Sequence, residues 1–137
     1  MAATQRGADF APVTPINLFK HSKDVIDLAP GVALFREGDS SDDTMFVVLE
    51  GAVEVVHNDH VVETVEAGGM IGELALIDTV PRSASAIAAT PCRLARVGKR
   101  EFMFLVQEHP TFALQVMTVM AERLRRANDR AQPPLGT

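Results

Sequence analysis

Two side chains nine positions apart carry the most legible chemistry in this chain of 137 residues. Glu73 opens the string Gly72-Glu73-Leu74-Ala75-Leu76-Ile77, and Arg82 stands in Pro81-Arg82-Ser83-Ala84. An ionised carboxylate only accepts hydrogen bonds, so Glu73 suits a hydroxyl donor. A guanidinium offers a planar fork of donors that grips phosphate oxygens in pairs. A short helix opening at Gly72 leaves backbone N–H groups unpaired in its first turn, and these favour an anion. The combination describes a ligand with one phosphate and a sugar hydroxyl close beside it. A capped helix followed by a surface arginine accounts for an isolated Gly-Glu pair, but not for the whole string and its spaced glycines.

The segment from Gly72 to Ala86 resembles the phosphate-binding cassette of cyclic-nucleotide-binding domains, as in catabolite activator proteins and kinase regulatory subunits. The likeness continues upstream in Gly38-Asp39, in Met45-Phe46-Val47-Val48-Leu49-Glu50-Gly51 and in Gly69-Met70-Ile71-Gly72, and covers about residues 25–130. The resemblance implies Glu73 on the ribose 2′-hydroxyl, Arg82 on the cyclic phosphate and Ser83 as a further phosphate donor. The amides of Gly72, Ala75 and Ala84 would complete an anion nest, with Leu74 inside the cassette. It also implies apolar walls for the base at Val55, Val62 and Val65, and a lid residue at Arg123. Ala127 lacks the hydroxyl that some relatives carry on the last helix, and Asn128 is the substitute on offer. The expected ligand is cAMP rather than cGMP, by a modest margin, with no further cofactor. Arg82 is expected to need no protein partner before phosphate arrives.

The elements that must position these groups are short β runs, then helices. Val25 to Leu28, Val32 to Phe35, Met45 to Leu49, Val53 to Val55, Val61 to Val65, Ser85 to Ala89 and Arg93 to Val97 read as strands between turn residues. Asn58-Asp59 forms a hairpin tip. Many short strands with glycine turns indicate a mainly β fold, an antiparallel β-roll or jelly roll followed by two α-helices. The period then lengthens, with helices over 99–108 and from Pro110 to about 129. The expected organisation is a tail with one short helical turn over 1–22, a binding domain over 23–130 with its β-roll at 24–98, and a tail over 131–137. In the last helix Ala113, Met117, Met120, Leu124 and Ala127 fit heptad positions and suggest a homodimer.

Composition narrows the function further. A length of 137 residues with 47% hydrophobic content supports one domain with a core. The net charge of −5 argues against broad contact with nucleic acid or anionic lipid. Arg123, Arg125, Arg126 and Arg130 nevertheless crowd the last helix, where a solvated helix end or a ligand contact both fit. One cysteine, Cys92, allows no internal disulfide and suits a reducing, cytoplasmic location. No apolar stretch is long enough for a membrane span.

Catalysis finds little footing. His57 and His60 are three apart at a hairpin tip with no third ligand nearby, so no metal is expected. No nucleophile elbow occurs. A cupin-like jelly-roll enzyme would need converging histidines that are not offered. Only Ala131-Gln132-Pro133-Pro134-Leu135-Gly136-Thr137 follows the last helix, too little for a DNA-reading helix unless the chain is a fragment of a larger cAMP-responsive transcription factor. The expectation is a non-enzymatic sensor whose last helix moves on binding and acts on an unidentified protein partner.

Overall fold

Every residue of the run Met45-Phe46-Val47-Val48 is buried, because the strand that contains it has a core on each face. Successive side chains of a strand point to opposite faces. Met45 and Val47 join a cluster beneath the helices, whereas Phe46 and Val48 join a second cluster between the sheets. Leu94 and its neighbours Ala95 and Val97 divide in the same way. Aliphatic strands with two buried faces thus build the interior of a chain that has neither Trp nor Tyr.

The computed structural model describes residues 14–131. Its elements are α1 (Pro15–Phe19), β1 (Val25–Leu28), β2 (Ala33–Phe35), β3 (Thr44–Glu50), β4 (Ala52–His57), β5 (His60–Glu66), β6 (Met70–Ile71), a 3-10 helix (Glu73–Leu76), β7 (Ser85–Ala88), β8 (Cys92–Gly98), α2 (Lys99–Glu108) and α3 (Pro110–Ala131). The strands form two four-stranded sheets, ordered β1-β8-β3-β6 and β2-β7-β4-β5, with antiparallel pairing throughout. The expected β-roll with helices after it is therefore the fold observed. The tails over 1–13 and 132–137 lie outside the described residues.

Three local features differ from or sharpen the sequence reading. β6 was not foreseen as a strand. It is two residues long and exists only through pairing with Phe46 and Val47, which a periodicity argument cannot detect. Asn58 and Asp59 both have positive φ, 51° and 63°, between the paired residues His57 and His60. That is the turn type whose twist matches a two-residue hairpin. Helix α3 runs two residues past the expected 129.

The helices are tied to the roll by aromatic contacts. Thr14 caps α1 by accepting from the Asn17 amide, and Phe19 at the other end is buried. The Phe19 and Phe112 rings meet edge-on with centroids 5.8 Å apart, and Phe102 of α2 lies equally close to Phe112. Val116 is buried beside them, and Val119 and Met120 pack against the same cluster. Met120 therefore does not share an exposed stripe with Met117 and Leu124, as the heptad reading had it. Leu114, Met117 and Leu124 form the outer face instead, each more than half exposed. Two heptads are too short for the pattern to distinguish neighbouring stripes of a 3.6-period helix.

Candidate ligand-binding cleft

A cleft of about 380 Å³ opens between the segment 71–84, strands β4 and β5, and the far half of α3. Its size falls within the range of small-molecule sites. The sequence-selected residues Val55, Val62, Gly72, Glu73, Leu74, Ala75, Arg82, Ser83, Ala84 and Arg123 all line it. Val65 does not. It is 4% exposed and sits in the core between the sheets, on the same inward face of β5 as Glu63 but two residues further along, opposite the buried Val53. Asn128 is likewise not among the lining residues.

The cassette starts at a glycine for two reasons. Gly72 has φ of +75°, a left-handed conformation that costs a side-chain-bearing residue. A Cβ there would also collide with Nη1 of Arg82. The 3-10 helix that follows is closed by the Ala75 amide donating to Gly72 O at 3.1 Å. That amide is already engaged, so it is not an open member of the expected anion nest. Glu73 is 3% exposed, a strong demand for a partner on a carboxylate.

Arg82 is held by backbone rather than by acids. Its Nη2 donates to Thr44 O at 2.8 Å and Ser41 O at 3.2 Å, and Nη1 to Gly72 O at 3.4 Å. The expectation that the empty protein leaves this side chain without partners is thereby corrected. Three carbonyls from two segments converge there, Ser41 and Thr44 around the start of β3 and Gly72 just before the 3-10 helix. The guanidinium also stacks over the Phe35 ring, with Cζ 4.2 Å from the centroid. Burial pulls its pKa below the ordinary arginine value, while the charges of Asp42, Asp39 and Glu73 oppose the shift. Its Nε is buried and donates to nothing among the described residues. A buried donor without an acceptor is costly, and the backbone contacts leave no carboxylate to neutralise the cation.

Arg123 is saturated by contrast. Its Nε and Nη2 form a fork on Glu63 at 2.9 and 3.0 Å, Nη2 also donates to Met70 O at 2.6 Å, and Nη1 pairs with Glu73. Burial alone would lower its pKa, but the hydrogen bonds to Glu63 and the charge and hydrogen bond of Glu73 raise it overall. One cation thus fastens α3 to both β5 and the 3-10 helix.

The geometry presents a fixed cation deep in the cleft, a buried carboxylate near it, and an apolar wall from β4 and β5. A model of the cyclic nucleotide-binding domain matches residues 25–109, more than half of the chain. The chain belongs to that family. As a cyclic nucleotide-binding domain it is 38% identical over 93 residues to a cyclic nucleotide-gated potassium channel of Rhizobium etli, covering 68% of this chain and 26% of the channel. It is 26% identical over 109 residues to a CRP-like cAMP-activated global transcriptional regulator of Mycobacterium tuberculosis, covering 76% of this chain and 48% of the regulator. Its fold matches the catabolite activator protein of Thermus thermophilus with a TM-score of 0.68 and 25% identity, over 78% of this chain and 52% of that one. The chain spans about half or less of the curated relatives named here.

Sequence reasoning missed several lining residues of this cyclic nucleotide-binding domain. Phe35 of β2 and Ser41 of the turn before β3 reach the cleft from segments distant in sequence. Glu63 lies beside Val62 in a half-buried strand, and no local signal marks it as the anchor for a helix 60 residues away. His57, Arg126 and Arg130 line the outer end. The spacing of Arg123, Arg126 and Arg130 at intervals of three and four was the available signal, since it places them on one helix face. His57 pairs with Glu37 at 3.3 Å, and among the described residues no group of three or more His, Cys, Asp or Glu side chains is placed to hold a metal.

Proposed function

We propose that this protein binds a 3′,5′-cyclic nucleotide and reports its occupancy through α3. The observation that carries the reading is Arg82, a buried cation with a spare Nε donor and no acid partner, set in the cassette motif. Arg82 takes the cyclic phosphate together with Ser83. Glu73 takes the ribose 2′-hydroxyl, for which it must share or exchange its contact with Arg123. Leu74, Ala75 and Ala84 shape the cassette around the phosphate, and Val55 and Val62 cover the base. Gly72 keeps the backbone turned so that both charged groups face one ligand.

The protein acts as a binding module and not as an enzyme in this reading. Arginine is a poor proton carrier at neutral pH, and Arg123 occupies both carboxylates that face the cleft. Because Arg123 links the cassette to α3, a ligand that engages Glu73 changes the hold on that helix. α3 then moves relative to the roll and passes the change to a partner protein. Its exposed Leu114, Met117 and Leu124 suit a second copy of the chain as that partner. No helix among the described residues is long and apolar enough to cross a membrane. We place the protein in the cytoplasm, consistent with the free thiol of Cys92, and assign it no nucleic-acid contact of its own.

Thermal melts with and without saturating cAMP or cGMP test the reading. At one hundred times the dissociation constant the gain is about 2.7 kcal/mol, or on the order of ten degrees for a domain of this size. An unchanged melting temperature with both nucleotides overturns it.

A further inference from the structure

The base end of the cleft is lined by donors. Helix α3 advances about 1.5 Å per residue, so Arg126 and Arg130 lie roughly 4.5 and 10 Å beyond Arg123 along its axis. Arg123 marks the level of the ribose carboxylate. The next turns of α3 therefore stand where a base joined to that ribose must go. Both Arg126 and Arg130 line the cleft there, facing Val55 and His57 of β4 and Val62 of β5.

These two guanidiniums are available, whereas Arg123 is not. Arg126 has only a 3.7 Å approach to Glu63, whose two oxygens already accept from Arg123. Arg130 makes no salt bridge or hydrogen bond among the described residues. The polar complement is lopsided, because an arginine donates and never accepts. The carboxylates nearby are committed to Arg123, and Ala127 adds no polar group. Guanine presents two adjacent acceptors, O6 and N7, which an arginine fork meets in a bidentate pair. Adenine presents N7 beside an amine, and a donor facing a guanidinium is repelled.

We propose, resting on the reading of the cleft as a cyclic-nucleotide site, that Arg126 and Arg130 select a guanine base, so that the preferred ligand is cGMP. The fork of one or both reads O6 and N7, and Ser83 is placed on the cassette to accept from the guanine 2-amino group if the base turns over its sugar. This departs from the preference for cAMP expected from the motif, which assigned no base contact to Arg126 or Arg130. One bidentate pair is worth a discrimination of about tenfold or more.

Calorimetry with cGMP, cAMP and 7-deaza-cGMP, on the wild type and on Arg126→Ala/Arg130→Ala, tests the assignment. The wild type should bind cGMP at least about tenfold more tightly than cAMP and lose most of that margin with 7-deaza-cGMP, which lacks the N7 acceptor. The double variant should bind all three within about threefold of one another. Arg126→Lys/Arg130→Lys keeps the charge but not the fork, and should lose the preference as well. Equal binding of cGMP and cAMP by the wild type, or a preference that survives in the double variant, overturns the guanine assignment alone. Failure of every nucleotide to bind overturns the reading of the cleft itself.

Discussion

Arg123 on the last helix and Glu73 in the 3-10 helix, fifty positions apart, form an ion pair across the wall of the cleft. The carboxylate is almost fully buried and the guanidinium about three-quarters buried. The same cation also forks onto Glu63. Removal of Arg123 therefore exposes two partly buried carboxylates to each other without a counter-charge. Arg123→Ala should destabilise the empty protein by about 2–4 kcal/mol, somewhat below the cost of breaking a fully dry pair. Urea unfolding measures it. Glu63→Gln should cost less, since Glu73 keeps its partner. A stability of Arg123→Ala equal to that of the wild type would show that the pair does not hold α3.

Arg82→Ala should affect both binding and folding. Loss of the phosphate partner costs about 2–5 kcal/mol of nucleotide affinity. The carbonyls of Thr44, Ser41 and Gly72 also lose a donor, at about 1–3 kcal/mol of stability. Calorimetry and urea unfolding separate the two effects. Arg82→Lys should recover part of the stability and little of the affinity, because an ammonium cannot make the planar contacts.

Glu73→Gln should weaken cGMP and cAMP by about 1–2 kcal/mol, the scale of a hydrogen bond to a charged group. The 2′-deoxy analogues should lose much less. Equal losses for ribo and deoxy ligands would remove Glu73 from the ribose.

Gly72→Ala should act at a distance from its own size. The left-handed backbone costs about 1–2 kcal/mol, and the new Cβ pushes Nη1 of Arg82 aside. Nucleotide affinity should fall by tenfold or more, read by calorimetry, while circular dichroism stays that of a folded β-roll.

Met117→Glu/Leu124→Glu should convert a dimer into a monomer in light scattering without lowering the melting temperature by more than a few degrees. Both residues are more than half exposed on the outer face of α3. A wild type that is monomeric at high concentration contradicts the dimer reading.

What the sequence revealed and what it hid follow one rule. Glu73, Arg82 and Ser83 were legible because their spacing is set within one short segment, so local order determines local geometry. The strands were legible for a similar reason, as turn residues punctuate them. Val65 was misread as a cleft wall because only sheet pairing shows that it lies opposite the buried Val53, deeper along the face that Glu63 shares. Asn128 was offered for the hydroxyl that Ala127 lacks and does not line the cleft, because the rotation of α3 about its axis depends on Phe112 and Val116 in the core. The carbonyls that hold Arg82 carry no signal in the sequence, since backbone acceptors are the same at every residue.

The aromatic knot of Phe19, Phe102 and Phe112 makes α3 an unequal lever. Its first three turns are pinned in the core, as far as Val119 and Met120, and beyond them the helix runs along the cleft with Arg123 as its stay. The arm from Met120 to Arg130 is about 15 Å long at 1.5 Å per residue. A tilt of about 10° at the pinned end would sweep the tip through about 3 Å along such an arm. A displacement at Arg123, about 4.5 Å along that arm, would be magnified about threefold at its tip.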